Sequence, residues 1–289
     1  MPRGRNTNQN GGEISESVIA EGWNHLLDQL YGGTWNPEIN RFRSPFVFRG
    51  AETCEGALCT GLSKLTAGVA DPRRIEGHLL RNFQKYGRIE VSLGDSCWRW
   101  LPIAQQHGLP TRLLDWTFSP LVALHFVVED PAFYEVGGCL WCFNHRISNR
   151  LLPKKLQDSA EREGADVFTA GMLESVAGSL SAFDDLSKQP FIVFLEPPSL
   201  ESRIVNQFAL FSVMSDPALD LTAYLSSHPG LAKRIVIPAR LKGEIRDKLD
   251  QTGITERLLY PGLDGVARWL ARYYQPVPKD RHARPVHKE

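Results

Sequence analysis

QQHGLPTRLLDWTFSPLVALHF, residues 105–126, decides how this chain is read, because its punctuation marks three successive elements and its polar residues crowd the junctions between them. Upstream, Asp95 or Ser96 opens a helix that carries Trp98, Leu101 and Ala104 on one side; Gly108 stops it and Pro110 forbids its continuation. Residues 111–117 are then extended. Ser119 and Pro120 supply an N-cap and a first helical residue, and Leu121, Leu124, His125 and Val128 give the next helix an inward face. His107, Thr111, Arg112, Asp115, Trp116 and Thr117 thus fall at a helix end, along a strand and at a helix start. Free N–H groups at a helix start receive anions, and a guanidinium can fork onto a phosphate.

Outward from this block the chain divides legibly. Residues 1–14 are polar, rich in Gly and Asn, and predict a disordered leader. Residues 15–30 predict a helix buried through Val18, Trp23, Leu26, Leu27 and Leu30, and residues 46–48 a short strand. Asp71-Pro72 starts a helix that keeps Ile75, Leu79, Leu80, Phe83 and Tyr86 in phase until Gly87. Beyond the block, strands are expected at 139–143, 191–195, 209–214 and 234–238. A weak helix is expected around Met172, another through Leu241, Ile245 and Leu249, and a last one over 261–274 buried through Val266, Leu270 and Tyr273. Residues 148–166 give no clear periodicity. The end, 276–289, is Pro-rich and charged and predicts a flexible tail, leaving 15–275 as one domain. Early helices and later strands without regular alternation argue for an α+β domain over a doubly wound parallel sheet.

Composition sets outer limits. With 289 residues and 42% hydrophobic content the chain can bury a substantial core, and a formal net charge of zero argues against a broad electrostatic nucleic-acid binder. Cys139 and Cys142 make a single CxxC, but within a strand positions three apart face opposite ways, and no second CxxC or His pair at ligand spacing accompanies them, so no metal is expected. No secretory segment opens the chain, and the longest apolar run, 121–128, falls far short of the roughly 20 residues of a membrane span, so a cytoplasmic location is expected. No glycine loop of dinucleotide or nucleotide-triphosphate type is present.

Three motifs together, Val47-Phe48-Arg49-Gly50, the block from Gln106 to Thr117, and Leu263-Asp264-Gly265, closely resemble the FRG domain. More distantly, a strand ending in aromatic-Arg-Gly, followed later by Trp-Thr and a helix, is similar to the first two motifs of ADP-ribosyltransferases. Arg49 matches the first, and Trp116, Thr117, Ala123 and Phe126 match the second. That resemblance implies a split β-sheet core with helices toward the N-terminus. It also implies NAD as substrate with Arg49 on its phosphates or ribose, and a nicotinamide side shaped by residues 111–119. Where the superfamily's third motif usually carries a catalytic Glu, this chain has Gln207, so Asp115, Glu196 or Glu201 would have to supply a carboxylate, Asp115 first by its place in the block. The implied catalytic set is Arg49, Asp115 and Gln207. The implied NAD-binding set is Arg49, His107, Thr111, Arg112, Trp116, Thr117 and Ser119.

The resemblance implies transfer of ADP-ribose to a macromolecular acceptor, protein or nucleic acid, as in bacterial toxins and phage-defence effectors, whose partners include a cognate antitoxin or inhibitor. The alternatives are an NAD glycohydrolase or phosphorylase on the same scaffold, and a noncatalytic nucleotide- or nucleic-acid-binding module. The residues themselves leave structural readings open beside the functional ones. Arg49 could pair with Glu52 or Glu55, His107 could cap a helix end, Trp116 could be core, and Arg112 could serve in a structural ion pair. Thr117 and Ser119 suit a helix start on capping grounds alone, and Asp264 opens the last helix.

Overall fold

Local punctuation governs the central block. In the computed structural model, which describes residues 16–56, 58–89, 93–197 and 202–275, Ser96 precedes the helix Cys97–Gln106, and Gly108 follows it with φ at +81°. The Ser119 hydroxyl accepts a hydrogen bond from the Val122 N–H at 3.3 Å and starts the helix Pro120–Val127. The expected leader and tail, and Glu201, lie outside the described residues.

Ten strands are present among the described residues. They are β1 (Ser17–Ile19), β2 (Trp35–Asn36), β3 (Arg41–Phe42), β4 (Phe46–Ala51), β5 (Leu113–Thr117), β6 (Gly138–Asn144), β7 (Phe168–Thr169), β8 (Ile192–Glu196), β9 (Ala209–Met214) and β10 (Ala232–Ile237). Eight of them form one mixed sheet in the order β1-β10-β6-β4-β5-β9-β8-β7, and β2 pairs with β3 alone. With helices between and around the strands, the class is α+β as the sequence predicts. Strand β4 runs antiparallel to β6 from Phe46 opposite Asn144 to Ala51 opposite Cys139, and β5 pairs along its length with β9. Between these two halves, β4 and β5 meet through a single residue pair, Phe48 opposite Thr117.

Three apolar clusters account for this arrangement. On one face, Phe48, Leu140, Ile235 and Ile237 pack under Leu26, Leu124 and Leu249 from the flanking helices. Across the seam on the same face, Leu113, Val193, Phe211 and Val213 pack against Trp98, Trp100, Leu173 and Phe183. The opposite face carries one cluster that spans both halves, through Val47, Trp141 and Phe143 on one side and Trp116, Phe194 and Leu210 on the other. Strand alternation therefore sends Cys139 and Cys142 to opposite faces, as expected from their spacing.

Two predicted elements differ. The helix predicted from residue 15 begins only at Trp23, because residues 17–19 form β1 and pair in parallel with Arg234–Val236, and Gly22 is fully extended. A partner more than two hundred residues away overrides the local periodicity. The last helix, Leu263–Tyr273, buries Gly265 alone; Leu270 and Tyr273, predicted as its inward face, are exposed. Gly265 brings the helix so close that a Cβ there would stand 1.8 Å from the Tyr260 carbonyl oxygen. Arg272 then anchors the helix through Asp250, at 2.8 Å, and Glu256. The unassigned stretch at 148–166 is largely helical, as His145–Arg150 and Lys154–Glu163.

Candidate functional site

Where β4 and β5 diverge beyond the Phe48–Thr117 pair, a cleft of about 520 Å³ opens, within the roughly 300–1,000 Å³ of small-molecule sites. Its walls come from β4, from the loop after it, from β5 and β9, and from the ends of the flanking helices. Four acids (Glu52, Glu55, Asp115, Glu129) and three bases (Arg49, Lys64, Arg203) line it, so it presents both signs of charge to a ligand.

The triplet Phe48-Arg49-Gly50 divides its work by strand alternation. Phe48 is buried in the core beneath the sheet. Gly50, on the same side, lies under the helix Pro120–Val127, where a Cβ would meet the Ala123 carbonyl oxygen at 1.8 Å. Arg49 is the member of the triplet that brings charge to the cleft; its Nη1 donates to the backbone oxygen of Asp115 at 2.9 Å and lies 3.9 Å from the Asp115 carboxylate. Burial draws the Arg49 guanidinium below the usual arginine range and Asp115 opposes the shift; arginine nevertheless stays charged at neutral pH.

Asp115 is oriented from a second side. Gln105 Nε2 donates to its Oδ2 at 3.3 Å, and Thr111 donates its hydroxyl proton to Gln105 Oε1 at 2.5 Å, which fixes the amide's orientation. Thr117 donates to the Gln207 carbonyl oxygen at 2.7 Å and accepts from the Ser119 N–H at 3.0 Å, tying β5 to the segment before β9. Gln207 donates its amide to the Leu259 carbonyl at 3.1 Å.

Of the sequence-predicted residues, Arg49, Asp115, Trp116, Thr117 and Gln207 come together at the cleft, while His107, Thr111, Arg112 and Ser119 do not line it. Arg112 is the clearest correction. Its side chain is 1% exposed and is clasped by Glu76 and Asp184, with Nε donating to Glu76 at 2.8 Å and Nη1 to the Met214 carbonyl at 3.2 Å. It holds the helix Pro72–Gly87 to the sheet and has no valence left for a phosphate. His107 is exposed at the end of its helix, its ring 6.2 Å from Phe83. Ser119 is a cap. Trp116 sends its indole into the core, donating to the Ser212 hydroxyl at 2.9 Å. Glu196 stands at the far end of β8, in a separate depression with Arg99 and Thr169.

Sequence reasoning missed Gln105, although it lies within the quoted block, and it missed Glu129. The Glu129 carboxylate lines the cleft and accepts the Tyr260 hydroxyl proton at 2.5 Å. Burial, then Glu129, pushes the Tyr260 hydroxyl well above its usual range, so it remains the donor. The available signal was an acid standing directly after the apolar helix 120–127. Arg203 and Arg268 cover the Tyr260 ring at 5.0 and 4.8 Å. Nearby, burial and then the neighbouring Asp130 and Glu129 raise the Glu52 carboxyl above its usual range.

Behind Glu129 sits His125, fully buried. Arg246 Nη1 lies 2.8 Å from its Nδ1, and since arginine can only donate, the ring proton is on Nε2, 4.0 Å from Glu129 Oε1. Burial, reinforced by Arg246, lowers His125 to about 3. The unfolded chain takes up a proton near the ordinary histidine value while the folded state refuses it. Stability carried by neutral His125 is therefore whole above about pH 6.5 and is lost progressively toward pH 3, with a slope of at most about 1.4 kcal/mol per pH unit. His145, also lowered by burial, acts in the same direction. Thermal midpoints recorded from pH 7 to 5 should fall, and His125→Gln should flatten that fall while lowering the midpoint at pH 7.

Among the described residues no group of three or more His, Cys, Asp or Glu is placed to hold a metal ion, and no helix is long and apolar enough to cross a membrane. Residues 44–135 match the model of the FRG domain, which takes in β4, β5 and the helix Pro120–Val127 and leaves Leu263-Asp264-Gly265 outside. No curated protein and no solved structure matches the chain.

Proposed function

From the FRG domain that this chain carries, we propose an NAD-consuming enzyme of the ADP-ribosyltransferase type, acting on a macromolecule as a toxin or phage-defence effector would. The observation that carries the reading is the cleft itself: a seam in the sheet with Arg49 on one lip and Thr117 and Gln207 on the other. In this reading Arg49 clamps the NAD diphosphate or ribose, with Lys64 and Arg203 as the further cations of the cleft. Cleavage of the N-glycosidic bond leaves positive charge on the ribose, so the protein's part is to position the substrate and stabilise that charge.

Gln207 can hydrogen-bond a ribose hydroxyl but carries no charge. Two carboxylates of the cleft can stand near the anomeric carbon. Asp115 is exposed and steered by Arg49 and Gln105, whereas Glu129 is held by Tyr260 in a drier place. A carboxylate counts for more where water is excluded, which favours Glu129 for charge stabilisation and leaves Asp115 to orient Arg49.

The test supplies NAD labelled in its adenylate part, with cell lysate, and follows nicotinamide release and label transfer. Arg49→Ala should weaken NAD binding and abolish transfer; Glu129→Gln should keep binding and lower turnover by about 10²–10³-fold. Nicotinamide release without labelled macromolecule would identify a glycohydrolase or phosphorylase. NAD binding without any release would sink the enzymatic reading in favour of a nucleotide-binding module.

A further inference from the structure

Beside the cleft, two thiols meet. Ala51, the last residue of β4, stands opposite Cys139 of β6, and the chain turns so that the Thr53 carbonyl accepts the Cys139 S–H with the sulfur at 3.7 Å. Cys54, next to Thr53, packs against the cluster that contains Cys139, close enough for the two thiols to interact, and both are free. Their surroundings differ, since Cys54 is half-buried and Cys139 fully buried. When Cys54 ionises, the single Cys139 S–H can turn from the Thr53 carbonyl to the thiolate, and this interaction draws the Cys54 thiol down to about 7; burial opposes, and Arg234 and Lys242 add to the lowering. The same contact, with burial, holds Cys139 strongly protonated. An acidic, reachable thiol next to a second, protected one is the arrangement of an attacking and a resolving cysteine.

We propose that Cys54 and Cys139 form a peroxide-responsive dithiol that closes to a disulfide at the edge of the cleft. The Cys54 thiolate attacks one oxygen of hydrogen peroxide, the O–O bond breaks, and the departing hydroxide takes a proton to leave as water, which gives a sulfenic acid on Cys54. The Cys139 sulfur then attacks the Cys54 sulfur, the S–O bond breaks, and the hydroxide leaves as water with the Cys139 proton. Two thiols are oxidised by two electrons and one peroxide is reduced to two waters.

The bond would tie the loop that supplies Glu52, Thr53, Glu55 and Gly56 to the cleft onto β6. That loop is also held by Lys242, whose Nζ donates to the Glu52 and Phe133 carbonyls, each at 2.8 Å. Oxidation thus changes the mobility of one cleft wall without entering the seam between β4 and β5.

The experiment exposes the reduced full-length protein to hydrogen peroxide at pH 7, quenches with N-ethylmaleimide, digests it without reductant and identifies linked peptides by mass spectrometry. A Cys54–Cys139 peptide that dithiothreitol removes, absent from Cys54→Ser and from Cys139→Ser, is the expected result. The wild-type digest decides the matter even where a serine variant folds poorly. Cys54 recovered alkylated, over-oxidised to the sulfinic acid, or linked to the exposed Cys59 would overturn the proposal.

Discussion

Arg112→Ala is expected to lower the free energy of unfolding by about 3–5 kcal/mol, the loss seen when one member of a buried charge network is removed. The guanidinium is the shared partner of Glu76 and Asp184, both almost fully buried, and it also satisfies the Met214 carbonyl. Burial alone pushes the Asp184 carboxyl above its usual range, and Arg112 works against that push. Without the guanidinium both carboxylates must either take up protons or draw in water. Half-exposed Arg73 reaches Asp184 at 3.1 Å but cannot cover Glu76 as well. Urea unfolding should show the midpoint displaced at pH 7, with part of the loss recovered at pH 5 as the stranded carboxyls protonate. Replacing the whole set as Arg112→Met, Glu76→Leu and Asp184→Leu should cost far less than the single change, because well-packed apolar groups substitute for a buried ion network at little net cost. A single variant that loses less than about 1 kcal/mol would show that water reaches the network.

Gly50→Ala is expected to be as damaging for a different reason. The added methyl would stand 1.8 Å from the Ala123 carbonyl oxygen, 2.8 Å from its carbon and 3.0 Å from Val127 Cγ2. Two of these atoms are backbone of a helix that is itself buried, so no rotamer change relieves the overlap. Forcing β4 and that helix apart disturbs a close-packed interior, which costs about 3 kcal/mol or more where the neighbours cannot yield. Ala123→Gly should fail to rescue the variant, since the obstacle is the carbonyl. Thermal melts of the single and double variants check both points, and rescue by the second substitution would refute the backbone-contact account. The third letter of the Phe-Arg-Gly triplet is thus a packing requirement, and it sets the height at which Arg49 is presented.

Much of the central site was legible because helix caps and stops are local. Ser119-Pro120, Gly108 and Asp71-Pro72 each act within a few residues, and the helices begin and end where they dictate. Arg49 was legible through its neighbours in the triplet. Arg112 was not, since its partners lie 36 and 72 residues away and nothing near it marks a buried ion network rather than a phosphate fork. Glu129 escaped because the acid pair Glu129-Asp130 after an apolar helix reads as solvated until Tyr260, 131 residues later, is seen to donate to Glu129. The exposed side of the last helix escaped because its periodicity is real while the surface it would cover is taken up by the close approach at Gly265 and the ion pairs of Arg272.

The single pair joining β4 to β5 has a mechanical consequence. The sheet resembles two boards glued by a continuous apolar veneer on one side and pegged through the middle by one backbone pair and the Arg49–Asp115 hydrogen bond, so its weakest line in shear is the line along which the cleft runs. A ligand gripped by Arg49 on one board and by Gln207 on the other would act as a further peg. Its affinity would be felt as added cohesion of the whole sheet, and the empty molecule would be the more compliant one.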